Sequence, residues 1–329
     1  MKKTLQKILE NKSKTLPILS FPSTQLLGIS VNELIRNAET QAKGMVAIKE
    51  RCEVGAALNM MDLSVEAEAF GAKIKFDDNE VPAVIEPAIN DISEAEGVTV
   101  PEIGAGRTNI YIEGVKKAKE LITDIPVFCG VIGPYSLAGR IFDMMELMMS
   151  CYDDPDNVKV LVKKCAEFLI NYLKAFKAAG ADGVIMAEPA SGMLSPDMCD
   201  EFSTPFVKEI IDAVSDDDFV FVYHNCGNNT IAMADTIASL GADVYHFGNA
   251  IDLSKMIPLM PEDSVVMGNV DPVLFKNGTP EAIEKATREV FEKCKDFSNF
   301  MLSSGCDIPA EAKWENLDAY FSTVKKLYE

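Results

Sequence analysis

Two separate stretches of the chain place metal-binding side chains at the ends of predicted strands. Residues 219–223 form an apolar run rich in β-branched and aromatic residues, which indicates a buried strand, and His224 and Cys226 follow it one residue apart. Side chains two positions apart on an extended strand point to the same face, so the imidazole and the thiol are directed at one spot. Far downstream, a second apolar run over residues 299–304 is followed by a glycine and Cys306.

These three side chains predict a catalytic zinc site. If the fold brings both strand ends together, His224, Cys226 and Cys306 form a three-ligand site with an open fourth position, which is typical of catalytic rather than structural zinc. Imidazole and thiolate suit zinc, and two thiolates with one neutral histidine balance the charge of the divalent ion. The alternative is a hydrogen-bonded core histidine beside buried free thiols. The placement at two strand ends, with Gly227 and Gly305 adjoining the cysteines, favours the metal site.

The composition limits the class of protein and its partners. The 329 residues include 31 basic and 51 acidic side chains, and the net charge of -20 argues against nucleic acid and anionic membranes as partners. No apolar run approaches the roughly 20 residues of a membrane-spanning helix, and no signal peptide is expected. Eight cysteines without a Cys-x-x-Cys pair favour free thiols in a reducing cytoplasm, so we expect a cytoplasmic protein.

Short apolar runs alternate with helical patterns along the chain. Ser195-Pro196 and Thr279-Pro280 are typical helix starts, in which a capping hydroxyl precedes proline. Eight strands alternating with helices predict a (β/α)8 TIM barrel of the α/β class, built as a single domain over residues 1–329, with an open doubly wound sheet as the alternative. Residues 72–109 depart from the pattern and are predicted to be an insertion after the second strand. The eight predicted strands are residues 16–21, 56–63, 126–132, 183–187, 219–223, 244–247, 265–270 and 300–303.

The active site of such a barrel lies at the carboxyl ends of its strands, and polar residues follow several of the predicted strands there. Glu188 follows the fourth strand and could occupy the open metal position until substrate displaces it. The alternative for Glu188 is a solvated or salt-bridged carboxylate at the rim. Asn269 and Asp271 are candidate catalytic or substrate-binding groups, although Asp271-Pro272 is also ordinary turn chemistry.

Three further residues near strand ends are candidates for contact with a cofactor. Gly133 and Tyr135 follow the third predicted strand, and His246 lies on the sixth. For His246, a hydrogen-bonded interior position is favoured over metal ligation.

The motif residues resemble those of a known family. His224-x-Cys226-Gly227 with the distal Gly305-Cys306 is similar to the zinc motif of the methylcobamide:coenzyme M methyltransferases, a branch of the uroporphyrinogen decarboxylase superfamily of (β/α)8 barrels. Further stretches that resemble the superfamily extend over nearly the whole chain. They are residues 65–71, 132–138, 179–182, 268–272, 278–281 and 305–309.

The resemblance implies a zinc-dependent methyl transfer between a corrinoid and a small molecule. The acceptor would be a thiol such as coenzyme M, which zinc converts to the thiolate that attacks the methyl group of a methylcobamide. In the reverse sense, zinc would activate a methyl-ether-type donor. The sequence contains no recognisable corrinoid-binding module, so the resemblance implies that a separate carrier protein presents the corrinoid.

Two other functions compete with methyl transfer. Uroporphyrinogen decarboxylases carry an arginine-rich N-terminal motif that binds the carboxylates of the tetrapyrrole, whereas the matching residues 17–25 contain no arginine here. Tetrapyrrole decarboxylation is therefore less favoured than methyl transfer. The third hypothesis is a non-catalytic zinc- or ligand-binding protein, which would have a closed four-ligand site.

Overall fold

A parallel β-sheet forms the centre of the protein. The structure, a computed structural model, describes residues 1–11 and 13–329. Nine strands are present in this part of the chain, seven of which form the parallel sheet while two form a separate antiparallel pair. The strands are β1 (Ala57–Leu58), β2 (Lys73–Lys75), β3 (Ala83–Glu86), β4 (Val127–Ile132), β5 (Gly183–Ala187), β6 (Val220–Asn225), β7 (Val244–Phe247), β8 (Val265–Val270) and β9 (Phe300–Ser304).

The order of the sheet is β1-β4-β5-β6-β7-β8-β9, so its strands occur in the same order along the chain, with the β2–β3 pair between β1 and β4. Helices connect most of these strands, which confirms the predicted α/β class. Every residue of β4, β5, β6, β7 and β8 is buried, as expected for parallel strands covered on both faces. The sheet is curled, and its concave face carries a cluster of apolar side chains that includes Phe128, Ile185, Val222 and Met267.

The first predicted strand is wrong, because the sheet has seven strands where the sequence pattern predicts eight. Residues 16–20 form no strand and Phe21 begins a turn, so in this region only Thr15 forms a bridge, to Leu302. Hydroxyl groups replace the backbone ladder: the Ile18 N–H donates to Ser304 Oγ over 3.0 Å, and Ser303 Oγ donates to the Leu16 carbonyl over 2.7 Å. The Thr15 carbonyl accepts from the N–H of Gly55, which precedes β1. The segment therefore lies between the two edges of the sheet and connects them.

Residues 72–109, all of which the structure describes, add no strand to the parallel sheet. They form the antiparallel pair of β2 and β3, a 3-10 helix over Ile92–Gly97, and the loop that leads into the next long helix. Meanwhile β1 pairs directly with β4, with Ala57 opposite Val127. That these residues are an insertion into a barrel stays a prediction.

Helices surround the sheet, and the two predicted capping sites are confirmed. The Ser195 side chain accepts from the Met198 N–H, and the Thr279 side chain accepts from the Ala282 N–H. No helix of the described residues is long and apolar enough to cross a lipid bilayer. The helices are α1 (Lys3–Glu10), α2 (Ser23–Leu27), α3 (Val31–Ile35), α4 (Ala38–Arg51), α5 (Val65–Ala69), α6 (Thr108–Leu121), α7 (Pro134–Ile141), α8 (Met144–Asp153), α9 (Pro155–Ala178), α10 (Pro196–Phe202), α11 (Thr204–Val214), α12 (Ala234–Ala238), α13 (Leu253–Met256), α14 (Pro272–Asn277), α15 (Pro280–Cys294) and α16 (Trp314–Tyr328), with further 3-10 turns at Pro189–Met193, Thr230–Met233 and Ile257–Leu259.

Helix α1 covers the amino ends of the central strands. Its buried side chains Leu5 and Ile8 join the apolar cluster on the concave face of the sheet. Just before α1, the Lys2 ammonium donates to the Asp243 carboxylate over 2.9 Å and to the Phe219 carbonyl over 2.7 Å, immediately before β7 and β6. This end of the sheet is therefore filled by the chain itself, and a ligand has to approach from the carboxyl ends of the strands.

A buried ion network follows β1 at the carboxyl end of the sheet. The Arg107 guanidinium contacts the carboxylate of Asp62 and donates to Ser64 Oγ over 2.8 Å and to Glu68 over 2.6 Å. Tyr111 donates its hydroxyl to Asp62 over 2.7 Å. Because the side chain of Asp62 is fully buried, its charge depends on these partners rather than on water.

Arg107→Met is expected to lower the free energy of unfolding by about 3–5 kcal/mol, because it leaves the buried Asp62 carboxylate without its cationic partner. Urea denaturation followed by circular dichroism measures the change. Lys163→Met is the matched control, since it breaks an exposed pair with Glu209 and should cost at most about 1 kcal/mol. Equal losses in the two variants would contradict the assigned importance of the buried network.

Candidate metal centre

The structure brings the three predicted metal ligands together. The ligand atoms of His224, Cys226 and Cys306 all lie within 4.8 Å of one another. His224 is the penultimate residue of β6, Cys226 follows that strand directly, and Cys306 lies two residues after β9. Within the described residues, no other group of three or more histidine, cysteine or acidic side chains converges in this way.

The spacing of the donor atoms fits a zinc ion. His224 Nε2 lies 3.5 Å from Cys306 Sγ. A tetrahedral zinc ion with ordinary bond lengths would hold a nitrogen and a sulfur ligand about 3.6 Å apart. His224 is buried, whereas both cysteines are only partly buried, so a fourth ligand can approach from the side of the sulfur atoms.

The two thiols influence each other's pKa in opposite directions. A hydrogen bond from Cys306 lowers the pKa of the Cys226 thiol to about 7, so a large fraction of this sulfur is thiolate at neutral pH. The same bond, together with burial, raises the pKa of Cys306 to about 12, because its proton is the one that is donated. A metal ion that binds here would displace the proton of Cys306 and the protons that remain on Cys226 at neutral pH.

His246 sets the tautomer of His224. His246 Nε2 lies 2.8 Å from the Ser304 carbonyl oxygen, and because a carbonyl can only accept, this nitrogen carries the hydrogen. Burial lowers the pKa of His246 well below its usual value, so the ring is neutral and its Nδ1 accepts. His224 Nδ1 lies 2.6 Å from that atom and therefore carries a hydrogen of its own. The lone pair of His224 Nε2 is thus left free on the side of Cys306, as metal ligation requires.

The cofactor contact expected of His246 stays a prediction, and the structure shows only protein partners for its ring. The ring is fully buried, and both of its nitrogens are used, Nδ1 by His224 and Nε2 by Ser303 and Ser304. In this arrangement the ring orients His224, one of the three candidate metal ligands. The sequence did carry a signal for Ser303 and Ser304, which sequence analysis did not use: two hydroxyl side chains within a strand that is otherwise apolar and buried.

Glu188 does not join the three converging ligands. Its carboxylate accepts from the backbone N–H groups of Tyr135, over 3.0 Å, and Ser136, over 2.7 Å, and from the Ser136 hydroxyl. These are free donors at the start of α7, where the helix dipole also favours a negative charge. Burial nevertheless raises the pKa of Glu188 to about 7. The structure therefore directs this carboxylate at α7 instead of at the open side of the metal centre.

Gly133 and Tyr135 surround Glu188 rather than an external cofactor. A Cβ atom on Gly133 would lie 2.4 Å from Glu188 Oε2, so only glycine allows the carboxylate to approach this closely. The Tyr135 ring is fully buried, and its hydroxyl lies 3.6 Å from Cys151 Sγ. Neither residue offers a free surface at the position where a cofactor contact was expected.

The structure shows backbone contacts for Asn269 and Asp271, and their expected catalytic or substrate-binding roles stay predictions. The Asn269 amide donates to the carbonyls of Gly248, over 2.9 Å, and Ile251, over 3.0 Å, and so holds the loop that follows β7. Asp271 caps α14 by accepting from the Val273 N–H over 2.9 Å. The turn chemistry that was the alternative for Asp271 accounts for its position.

Cys306→Ser is expected to remove bound zinc from a folded protein, because a serine hydroxyl is a far poorer zinc ligand than a thiolate. Metal content after dialysis, measured by atomic absorption on protein of native circular dichroism, tests this expectation. Cys165→Ser is the control, because that fully buried thiol lies on α9 away from the ligands, and the change should cost only stability, about 1–3 kcal/mol. Full zinc content in the Cys306 variant would rule out the metal centre.

His246→Leu is expected to weaken zinc affinity roughly 10–100-fold, because the His224 ring loses the acceptor that fixes its tautomer. His246→Asn places an amide oxygen near the former Nδ1 position and should retain most of the affinity. Competition with a chromophoric chelator measures both values. Equal affinity in the wild type and in the leucine variant would show that His246 only fills space.

Comparison with known proteins identifies the family of this chain. The family model described as uroporphyrinogen decarboxylase (URO-D) matches residues 19–327. Methylcobamide:CoM methyltransferase MtbA of Methanosarcina mazei is 29% identical over 269 residues, which cover 80% of this chain and 77% of that protein. A uroporphyrinogen decarboxylase of Carboxydothermus hydrogenoformans is 24% identical over 305 residues, which cover 90% of this chain and 85% of that protein.

The fold is also that of a solved methyltransferase. A structure of a methyltransferase from Methanosarcina mazei has a TM-score of 0.87 to this one, with 24% sequence identity and coverage of 99% of both chains. The family match extends over nearly the whole chain, and the similarity to methylcobamide:CoM methyltransferases inferred from the motif residues is confirmed. The chain is therefore an enzyme that belongs to the uroporphyrinogen decarboxylase family.

Proposed function

We propose that this enzyme is a zinc-dependent methyltransferase, which moves a methyl group between a corrinoid on a carrier protein and a small thiol such as coenzyme M. The observation that carries the proposal is the convergence of one imidazole and two thiols, with access for a fourth ligand, at the carboxyl ends of β6 and β9. The name of the Methanosarcina mazei relative supports both the corrinoid and the thiol. Because all eight cysteines are free, the structure is also compatible with the proposed reducing, cytoplasmic setting.

We further propose that the fold is a single (β/α)8 barrel over residues 1–329. The extended segment after Thr15 would take the place of the eighth strand, since it contacts both β9 and the residues before β1. In this arrangement the filled amino ends of the strands and the open carboxyl ends match the usual division of such barrels.

The residues of the chain have distinct tasks in the proposed reaction. His224, Cys226 and Cys306 would hold the zinc ion, and His246 keeps the Nε2 lone pair of His224 available. Zinc, when bound, would lower the pKa of a thiol substrate and so supply the thiolate nucleophile at neutral pH. The sulfur atoms of Cys226 and Cys306 lie at the partly exposed side of the centre, where both the thiol and the methyl donor can reach.

Decarboxylation of a tetrapyrrole is less well supported. A substrate with several carboxylates needs cationic side chains, and residues 17–25, which match the arginine-rich motif of the decarboxylases, contain none. In the structure, Ile18, Leu19 and Phe21 of this segment are buried. A decarboxylase would also have no use for the cluster of imidazole and thiols.

The proposal is tested by mixing the zinc-loaded enzyme with methylcobalamin and coenzyme M and following demethylation in the visible spectrum. The wild type should transfer the methyl group, whereas Cys306→Ser should be slower by roughly 100-fold or more, since a metal ion contributes several kcal/mol to such a reaction. Cys165→Ser serves as the control and should match the wild type. Release of CO2 from uroporphyrinogen, without any demethylation of methylcobalamin, would overturn the proposal in favour of decarboxylation.

A further inference from the structure

The loop that connects β7 to α13 contacts both cysteine-bearing loops of the candidate metal centre. Gly248, its first residue, lies against Cys226: a Cβ atom on this glycine would be 2.6 Å from Cys226 Cβ, so only glycine fits here. The next residue, Asn249, lies against Gly305, which precedes the second cysteine. A Cβ atom on Gly305 would be 2.8 Å from the Asn249 backbone nitrogen. Two consecutive residues of the β7–α13 loop therefore extend from one cysteine loop to the other.

Strand β7 also supports the histidine ligand, although the three converging ligands belong to β6 and to the segments after β6 and β9. His246 on β7 orients the ring of His224. The Gly248 N–H donates to the Asn225 carbonyl over 3.1 Å, and Asn225 lies between the two ligands that β6 delivers. The position of β7 and its loop therefore bears on all three candidate ligands.

The side chain of Asn269 on β8 holds the β7–α13 loop near both of its ends. Its amide nitrogen donates to the carbonyl of Gly248 over 2.9 Å and to that of Ile251 over 3.0 Å. Asn269 and Ile251 are both buried, so water cannot readily replace these bonds. Asn249, between the two anchored carbonyls, is exposed, so the loop depends on its ends for a fixed position.

We propose that Asn269 is a positioning residue of the metal centre, which acts through the β7–α13 loop to set the separation of Cys226 and Cys306. The inference rests on the proposed function in so far as these thiols bind zinc, but it does not require methyl transfer. Metal ligands have to be held within about 0.5 Å of the productive geometry. A loop released from Asn269 would leave the two thiols at variable spacing, and the open fourth position would lose its fixed direction.

Titration of the metal-free protein with cobalt(II) tests this role. Cobalt(II) accepts the same nitrogen and sulfur ligands as zinc, and its thiolate-to-metal charge-transfer absorption reports the sulfur ligands. Asn269→Leu nearly preserves the size of the side chain and removes both hydrogen bonds. We expect it to weaken cobalt affinity roughly 10-fold or more and to lower the charge-transfer absorption per bound ion, in protein of native circular dichroism.

Asn316→Leu is the matched control, because this buried amide likewise donates to two backbone carbonyls, those of Leu274 and Phe275 on α14. It should lower stability but keep the cobalt affinity and the absorption of the wild type. Equal affinity and absorption in the wild type and in Asn269→Leu would overturn the inference. An equal loss of affinity in Asn316→Leu would overturn it as well, because Asn269 would then act only through general stability.

Gly248→Ala tests the same loop from the side of the cysteine and does not depend on how well the Asn269 variant folds. The added methyl group cannot remain 2.6 Å from Cys226 Cβ, so the loop or the cysteine must shift, and cobalt affinity should fall roughly 10-fold or more. Gly97→Ala is its control, because a Cβ atom there would meet nothing within 4 Å, and it should bind cobalt as the wild type does. Wild-type affinity in Gly248→Ala would contradict the inference.

Failure of this inference is distinguishable from failure of the proposed function, because cobalt binding needs neither a corrinoid nor a thiol substrate. Cobalt binding that weakens in Asn269→Leu, in an enzyme without methyl-transfer activity, would support the positioning role and overturn the proposed function. Methyl transfer and cobalt spectra that stay unchanged in Asn269→Leu and Gly248→Ala would overturn the inference and leave zinc-dependent methyl transfer intact. A wild type that binds no metal ion would overturn both.

Discussion

The curvature of the parallel sheet is the constraint on which the convergence of His224, Cys226 and Cys306 depends. Cys306 follows β9, which is three strands away from β6 in the sheet, and in a flat sheet three strand spacings would separate the two ends by about 14 Å. The observed distance between His224 Nε2 and Cys306 Sγ is 3.5 Å. Curling around an apolar filling of Phe128, Ile185 and Met267 supplies this approach, so the ligand geometry is a product of how the core packs.

Ser303 and Ser304 contribute both to the closure of the sheet and to the orientation of His246. Ser303 and Ser304 bind the extended segment at Leu16 and Ile18, which joins the two sheet edges, and they also accept from His246 Nε2. The orientation of His246 in turn fixes the tautomer of His224. A chain of short hydrogen bonds thus runs from the edge of the sheet to the metal ligand, and buried polar networks of this kind are rigid when every member is satisfied.

The sequence was informative where one local pattern decides the structure. Apolar runs located seven of the eight predicted strands, and His224, Cys226 and Cys306 follow from residue type together with position at strand ends. Prediction from the sequence failed where two distant segments compete for the same hydrogen-bond partner. The segment at residues 16–21 is apolar enough for a strand, but serine hydroxyls on β9 take its hydrogen bonds. The Glu188 carboxylate could serve as a metal ligand by its chemistry, but it accepts hydrogen bonds from the N–H groups at the start of α7. Only the tertiary fold brings that helix start close to Glu188, so the sequence pattern does not reveal the contact.

The packing of α1 against the amino ends of the strands closes one end of the sheet's interior. Leu5 and Ile8 fill the interior at one end, and Lys2 fastens that end to Asp243 and Phe219. On the proposed function, a small thiol and a protein-sized methyl carrier have to share the remaining opening. If the carrier covered this opening while docked, the thiol would have to bind first, and the methylated product would leave only after the carrier. On the proposed function, the closed end would thus impose an ordered sequence of binding and release.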